Sequence, residues 1–146
     1  MVRYRLTFTQ NGTSVTRIKL LMQFVASGAE LANGFGTPRQ NGGTTWKGVF
    51  IRADGGAEVK AIAPGRIVFA DWLRGFGNLA IVDHGDGYLS VYGNNESLYK
   101  AVGDPVKAGE TIASVGNSGG NPETGLYFEL RHLGQALDPL KWVGLK

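Results

Sequence analysis

The fold class that this sequence predicts is mainly β, an antiparallel β-sandwich or open barrel, and two observations carry it. Glycine supplies 23 of the 146 residues, well above ordinary usage, which points to many tight turns. From Gly28 onward, short runs rich in β-branched and aromatic residues alternate with turn-forming clusters. The runs are Val59–Ala63, Arg66–Ala70, Leu79–Asp83, Tyr88–Tyr92, Thr111–Val115 and Leu126–Arg131. Pro64-Gly65, Gly85-Asp86-Gly87, Gly103-Asp104-Pro105 and the loop from Gly116 to Gly120 punctuate them. Strands this closely spaced leave no room for the crossover helices of a parallel sheet.

The first 28 residues differ in character. Val2, Tyr4, Leu6 and Phe8 alternate with Arg3, Arg5, Thr7 and Thr9, a strand pattern ended by the turn signal Asn11-Gly12. Val15, Ile18, Leu21, Met22 and Val25 then recur at helical spacing behind Ser14, a candidate N-cap. The expected organisation is an N-terminal extension over residues 1–28 and one domain over 29–146. The stretch from Arg17 to Gly28 has a basic flank and a short apolar patch, but Gln23 interrupts that patch and makes it a poor export signal.

Composition excludes several function classes. The 15 basic and 12 acidic residues leave a net charge of +3, and the basic residues form no run, which argues against nucleic acid as a partner. There is no cysteine, so disulfides carry none of the stability. No apolar run approaches the roughly 20 residues of a membrane span.

Three chemical motifs invite a catalytic reading and fail it on sequence grounds. Gly116-Asn117-Ser118-Gly119-Gly120 has the spacing of a nucleophile elbow, yet no helical pattern follows Ser118 as that motif requires, so a glycine-rich connecting loop is expected. Val59–Arg66 and Gly103–Glu110 are similar to the hairpins of biotinyl and lipoyl carriers, but the tip is Pro64-Gly65 and offers no lysine. Asp71, Asp83, Asp86, Glu58 and Glu129 lie on different strands and turns, and nothing in their spacing sets an acid–base separation. In the last long run, alternation turns Leu126, Phe128 and Leu130 to the core and Tyr127, Glu129 and Arg131 to the other face. Glu129 is expected to pair with a basic neighbour.

From about Gly34 to Val143 the order of signals resembles the LytM (lysostaphin-type) zinc endopeptidase family. Gly34-Phe35-Gly36, Lys47-Gly48, Val59–Val68, Gly77-Asn78-Leu79, Val82-Asp83-His84-Gly85, Tyr92, Val106–Gly109, Val115–Gly119, Tyr127–Arg131 and Asp138-Pro139 carry the resemblance. It implies a sandwich or open barrel of the LytM (duplicated hybrid motif) type. Trp46-Lys47-Gly48, Ala70–Leu73, Leu126–Arg131, Gly134–Ala136 and Trp142 are similar to the EnvC-like branch of that family, whose peptidase centre is degenerate.

Against the peptidase pattern, Trp46 stands at the first histidine ligand, Phe50 at the aspartate and Tyr127 at the last histidine ligand. Asn94 and Gly125 stand at the auxiliary histidines. Zinc needs three lone-pair donors and an open position, which an indole, a benzyl ring and a glycine do not supply. Of the two histidines, His84 belongs to the family's Asp-His-Gly turn, where it is no ligand. Both it and His132 are expected to be turn or surface residues.

The resemblance therefore implies a non-catalytic domain without a cofactor or bound metal. Its expected partner-binding groove comprises Trp46, Lys47, Phe50, Phe76, Leu79, Tyr92, Asn94, Tyr127 and Arg131. The implied role is to bind and activate a peptidoglycan N-acetylmuramoyl-L-alanine amidase, through that enzyme's regulatory helix, in the periplasm during cell division and daughter-cell separation. Two alternatives stay open: a zinc endopeptidase of peptidoglycan cross-links, and a non-enzymatic module that binds peptidoglycan.

Overall fold

The structure, a computed structural model, describes residues 30–33 and 47–139. The strand expected at Val2–Phe8, the helix expected at Ser14–Val25 and the groove residue Trp46 lie outside the described residues. Within them the elements are β1 (Glu30–Asn33), β2 (Val49–Arg52), β3 (Glu58–Lys60), β4 (Gly65–Leu73), β5 (Gly77–Gly85), β6 (Tyr88–Leu98), β7 (Pro105–Val106), β8 (Thr111–Val115), β9 (Gly125–His132) and β10 (Gln135–Leu137).

Every strand pairing is antiparallel. One continuous path runs β1-β2-β9-β6-β5-β4-β7, with β10 on β9 and β8 joining β3 to β6. The mainly β, antiparallel expectation therefore holds. Thr111–Val115 forms a strand over the residues expected, and Leu126–Arg131 gains one residue at each end. The run Val59–Ala63 shortens to β3, which begins at Glu58, ends at Lys60 and carries a register shift between Val59 and Lys60.

The long strand β6 organises the molecule. Its first part, Tyr88 to Gly93, pairs with β9, whereas Asn95, Ser97 and Leu98 pair with β8. The handover falls at Asn94, whose φ is 64°, and at a register shift between Asn95 and Ser97. Asparagine tolerates the left-handed region better than most side chains, and a bulge bends its strand. In this way β6 leaves the main layer and enters a second one with β8 and β3.

Between these layers lies the core. Val49, Ile51, Ile67, Val82, Tyr92, Leu126, Phe128 and Leu130 meet Val59, Ile112, Ala113 and Val115 from the second layer. Fully burying one such large apolar side chain contributes roughly 1.5 to 3 kcal/mol. Because side chains alternate along a strand, the register that sends Phe128 and Tyr92 inward sends their neighbours Tyr127 and Val91 to the opposite face of the main layer.

A candidate groove built on the outer face of β9

Leu126, Phe128 and Leu130 of β9 join the core, and Tyr127, Glu129 and Arg131 share the opposite face. On that face the side chains are linked in series. The Tyr127 hydroxyl donates to Glu129 Oε2, and Arg131 Nε donates to Glu129 Oε1 at 2.6 Å. Arg131 Nη1 also donates to the carbonyl oxygen of Gly134 at 3.1 Å. Glu129 is only 3% exposed. A buried carboxylate is tolerable only when charge-assisted bonds replace its water, and Tyr127 and Arg131 provide them.

Glycines let β2 and β9 close up around this ladder. A Cβ on Gly48 would collide with the Phe128 carbonyl oxygen and lie 2.8 Å from Glu129 Cγ. A Cβ on Gly125 would lie 2.7 Å from Phe50 Cζ, so the Phe50 ring fills the space that a side chain at 125 would need. Phe50 is also the cross-strand partner of Tyr127.

Beside Tyr127 lies a cleft of about 400 Å³. Gly75 and Phe76 from the β4–β5 turn, Asn94 from β6, Tyr127 from β9 and the segment Gly119–Pro122 line it. The Phe76 and Tyr127 rings lie 5.6 Å apart, tilted by 49°. Asn94 braces the walls: its backbone N–H donates to the Phe76 oxygen at 2.6 Å. Its Nδ2 donates to Phe76 and Ser118 oxygens at 3.2 and 3.0 Å, and its Oδ1 accepts from Asn121 at 3.2 Å.

The expected groove residues therefore divide. Phe50, Phe76, Asn94 and Tyr127 come together, with Leu79 beside Tyr127 under Gly93. Lys47 is exposed just before β2, and Arg131 is half-buried further along β9. Phe50 and Leu79 are 2% and 3% exposed, so they form the wall behind the cleft and offer no free surface.

Tyr92 is a correction. It is fully buried in the core on the opposite face, edge-on to Phe128 at 5.4 Å. Its hydroxyl bonds Ser90 at 2.8 Å and the Ile62 N–H at 3.1 Å, and burial pushes its pKa up to about 12. The strand alternation that places Tyr127 outside places Tyr92, its diagonal neighbour, inside.

His84 is a second correction, being buried and not a surface residue. Its Nδ1 bonds the Pro64 oxygen at 2.8 Å and its Nε2 bonds Ser90 Oγ at 2.7 Å. Desolvation lowers its pKa, opposed by the Pro64 bond and the Asp83 charge. His132 is half-buried and stacks on Tyr88 at 4.0 Å.

Sequence reasoning left Glu129 and the segment Gly119–Pro122 out of the groove. Glu129 carried a signal, since it alternates in phase with Tyr127 and Arg131. The loop carried none beyond its glycines. Ser118 is committed to the scaffold: its hydroxyl donates to the Asn95 oxygen at 2.5 Å and accepts the Asn78 N–H at 3.0 Å.

The side chains at the cleft do not fit a zinc ion. Phe50 has no lone pair to give, the Tyr127 hydroxyl is bound to Glu129, and the Asn94 oxygen is engaged by Asn121. Among the described residues no three His, Cys, Asp or Glu side chains are grouped to hold a metal. No helix among them is long and apolar enough to cross a membrane.

Comparison with known proteins gives the chain its relatives. Murein hydrolase activator EnvC of Escherichia coli (strain K12) is 52% identical over 99 residues, covering 68% of this chain and 24% of that protein. Murein hydrolase activator NlpD of the same strain is 41% identical over 98 residues, covering 66% of this chain and 26% of that protein. The chain thus spans about a quarter of the length of these relatives. Among solved structures, the catalytic domain of the antimicrobial peptidase lysostaphin from Staphylococcus simulans superposes with a TM-score of 0.71 at 29% identity, covering 84% of this chain and 94% of that one. The family model for peptidase family M23 matches residues 44–139, and this chain belongs to that family.

Proposed function

We propose that this chain is a non-catalytic activator that binds a peptidoglycan N-acetylmuramoyl-L-alanine amidase in the periplasm during cell division and daughter-cell separation. The observation that carries this reading is the β9 ladder. Where a hydrolase would hold its metal, Tyr127 stands against Phe76, with its hydroxyl tied to a buried glutamate. The relatives named as murein hydrolase activators support it.

Aromatic and arginine side chains around a concave site are the usual anchors of a protein interface. An amphipathic helix suits such a groove, its apolar side against Phe76 and Tyr127 and its acidic residues toward Lys47 and Arg131. Capture of a regulatory helix activates an enzyme only when the activator binds the open state better than the closed one. The reacting zinc then belongs to the amidase.

The test mixes the full chain with its cognate amidase and dye-labelled sacculi and follows dye release. Combining Lys47→Glu with Arg131→Glu reduces activation by at least about tenfold, the scale of opposed charges in an interface. Arg131→Glu sets a second carboxylate beside buried Glu129, so thermal unfolding of each variant is recorded alongside. Lys47→Glu, at an exposed residue, isolates the charge of the groove. Full activation by a folded double variant overturns the assignment.

A further inference from the structure

We infer that Glu129 is the positioning residue of the groove: it fixes Tyr127 and Arg131 in the geometry that a partner reads. This rests on the activator reading above and adds to it a residue that makes no direct contact with the partner. The argument starts from burial. Glu129 is 3% exposed, so a docking helix does not reach its carboxylate. Each of its oxygens is nevertheless used, Oε2 by the Tyr127 hydroxyl and Oε1 by Arg131 Nε.

The consequence for Arg131 is directional. A guanidinium on a flexible stem samples many rotamers and loses that entropy on binding. Here Nε is held by Glu129 and Nη1 by the Gly134 oxygen. Among the described residues this leaves Nη2 to face a ligand, which suits one carboxylate approaching end-on. Glu129 also offsets the charge of Arg131, and the exposed Lys47 just before β2 is the second positive charge assigned to the partner. The partner that fits carries one acidic side chain for the fixed guanidinium and another near Lys47. Gly48 belongs to the same device, because its missing Cβ is what allows Glu129 Cγ to pack against the start of β2.

The experiment uses the full chain and two readouts. In a nitrogen-15 correlation spectrum of the free protein, the Arg131 Nε–H is protected from exchange in the wild type and loses that protection in Glu129→Gln. In the amidase assay, Glu129→Gln raises the half-activating concentration by roughly tenfold, equivalent to about 1.4 kcal/mol. The same change made in a Tyr127→Phe, Arg131→Ala background, which lacks both groups that Glu129 holds, shifts it by less than about twofold, since coupled residues are not additive. Glu129→Asp, which keeps the charge, recovers part of the loss.

An equal loss in both backgrounds makes Glu129 merely structural and overturns the inference, as does an unprotected Nε–H in the wild type. If the wild type shows a protected Nε–H but leaves the amidase unstimulated, the activator reading falls and the partner-reading role of Glu129 falls with it. If the wild type stimulates and Glu129→Gln stimulates equally well, the inference alone is lost.

Discussion

His84 donates its Nδ1–H to the carbonyl oxygen of Pro64 at 2.8 Å, and this bond sets the direction of a buried chain. A carbonyl only accepts, so the neutral imidazole carries its hydrogen on Nδ1 and leaves Nε2 as acceptor. Ser90 then donates to Nε2 at 2.7 Å, Tyr92 donates to Ser90 at 2.8 Å, and the Ile62 N–H donates to Tyr92 at 3.1 Å. Both ends of the segment from Ile62 to Pro64 are thereby tied to β5 and β6. A proton added at Nε2 turns Ser90 around and strands the Tyr92 hydroxyl hydrogen, a cost that buried polar groups rarely bear.

The pH dependence follows from the lowered His84 pKa. Burial is its main cause, with the Pro64 bond and Asp83 acting the other way. Below the ordinary histidine value of about 6.5 the unfolded histidine takes a proton that the folded one refuses, so the unfolded state binds more protons and stability rises with pH there. The contribution is complete above that value and is lost as pH falls toward the folded pKa. Urea unfolding between about pH 7.5 and about pH 5 should show this decline in the wild type and a shallower one in His84→Gln. Matching slopes for the two proteins would mean that the buried chain does not govern acid stability.

Gly48 and Gly55 make a paired test of close approach. At Gly48 a Cβ would strike the Phe128 carbonyl oxygen, which belongs to backbone and cannot rotate away. At Gly55 the nearest atom, Thr124 Cγ2, lies 3.7 Å off, an ordinary contact. Gly48→Ala is expected to cost about 3 kcal/mol, the upper range for overpacking, and Gly55→Ala to stay within about 0.5 kcal/mol. Thermal unfolding of both variants checks this, and equal losses would show that β2 and β9 can separate freely.

What could be read from the sequence tracks the range of the interactions involved. The two faces of Leu126–Arg131 were legible because period-2 alternation is local, and the expected pairing of Glu129 with a basic neighbour is met by Arg131. β7 and β10 were not legible. They are short, and pairing with Gly65–Arg66 and with Leu130–His132 is what makes them strands. Tyr92 was placed in the groove from the family likeness, although its in-phase neighbour Ser90 and the distant Ile62 hold it in the core. Asn94 shows the same limit: its left-handed backbone marks where β6 changes layers, and no neighbouring residue announces that change.

Leu133 offers a test in which strain and burial oppose one another. With Gly134 it forms the two-residue turn between β9 and β10, at φ of 51° and 85°. Positive φ at both positions suits the Asn-Gly turn and penalises leucine by roughly 1 to 2 kcal/mol. In return the side chain folds over Gly87, where a Cβ would meet Leu133 Cδ2 at 2.5 Å. Yet Leu133 is 75% exposed, so that cover returns only a fraction of the roughly 1.5 to 3 kcal/mol of full burial. Relief of strain should win, and Leu133→Asn should stabilise the fold by about 1 kcal/mol, read as a higher midpoint in thermal unfolding. Gly134→Ala in the same turn should do the reverse, because it places a Cβ where the backbone is left-handed. Destabilisation by Leu133→Asn would show that the leucine's packing over Gly87 outweighs its backbone strain.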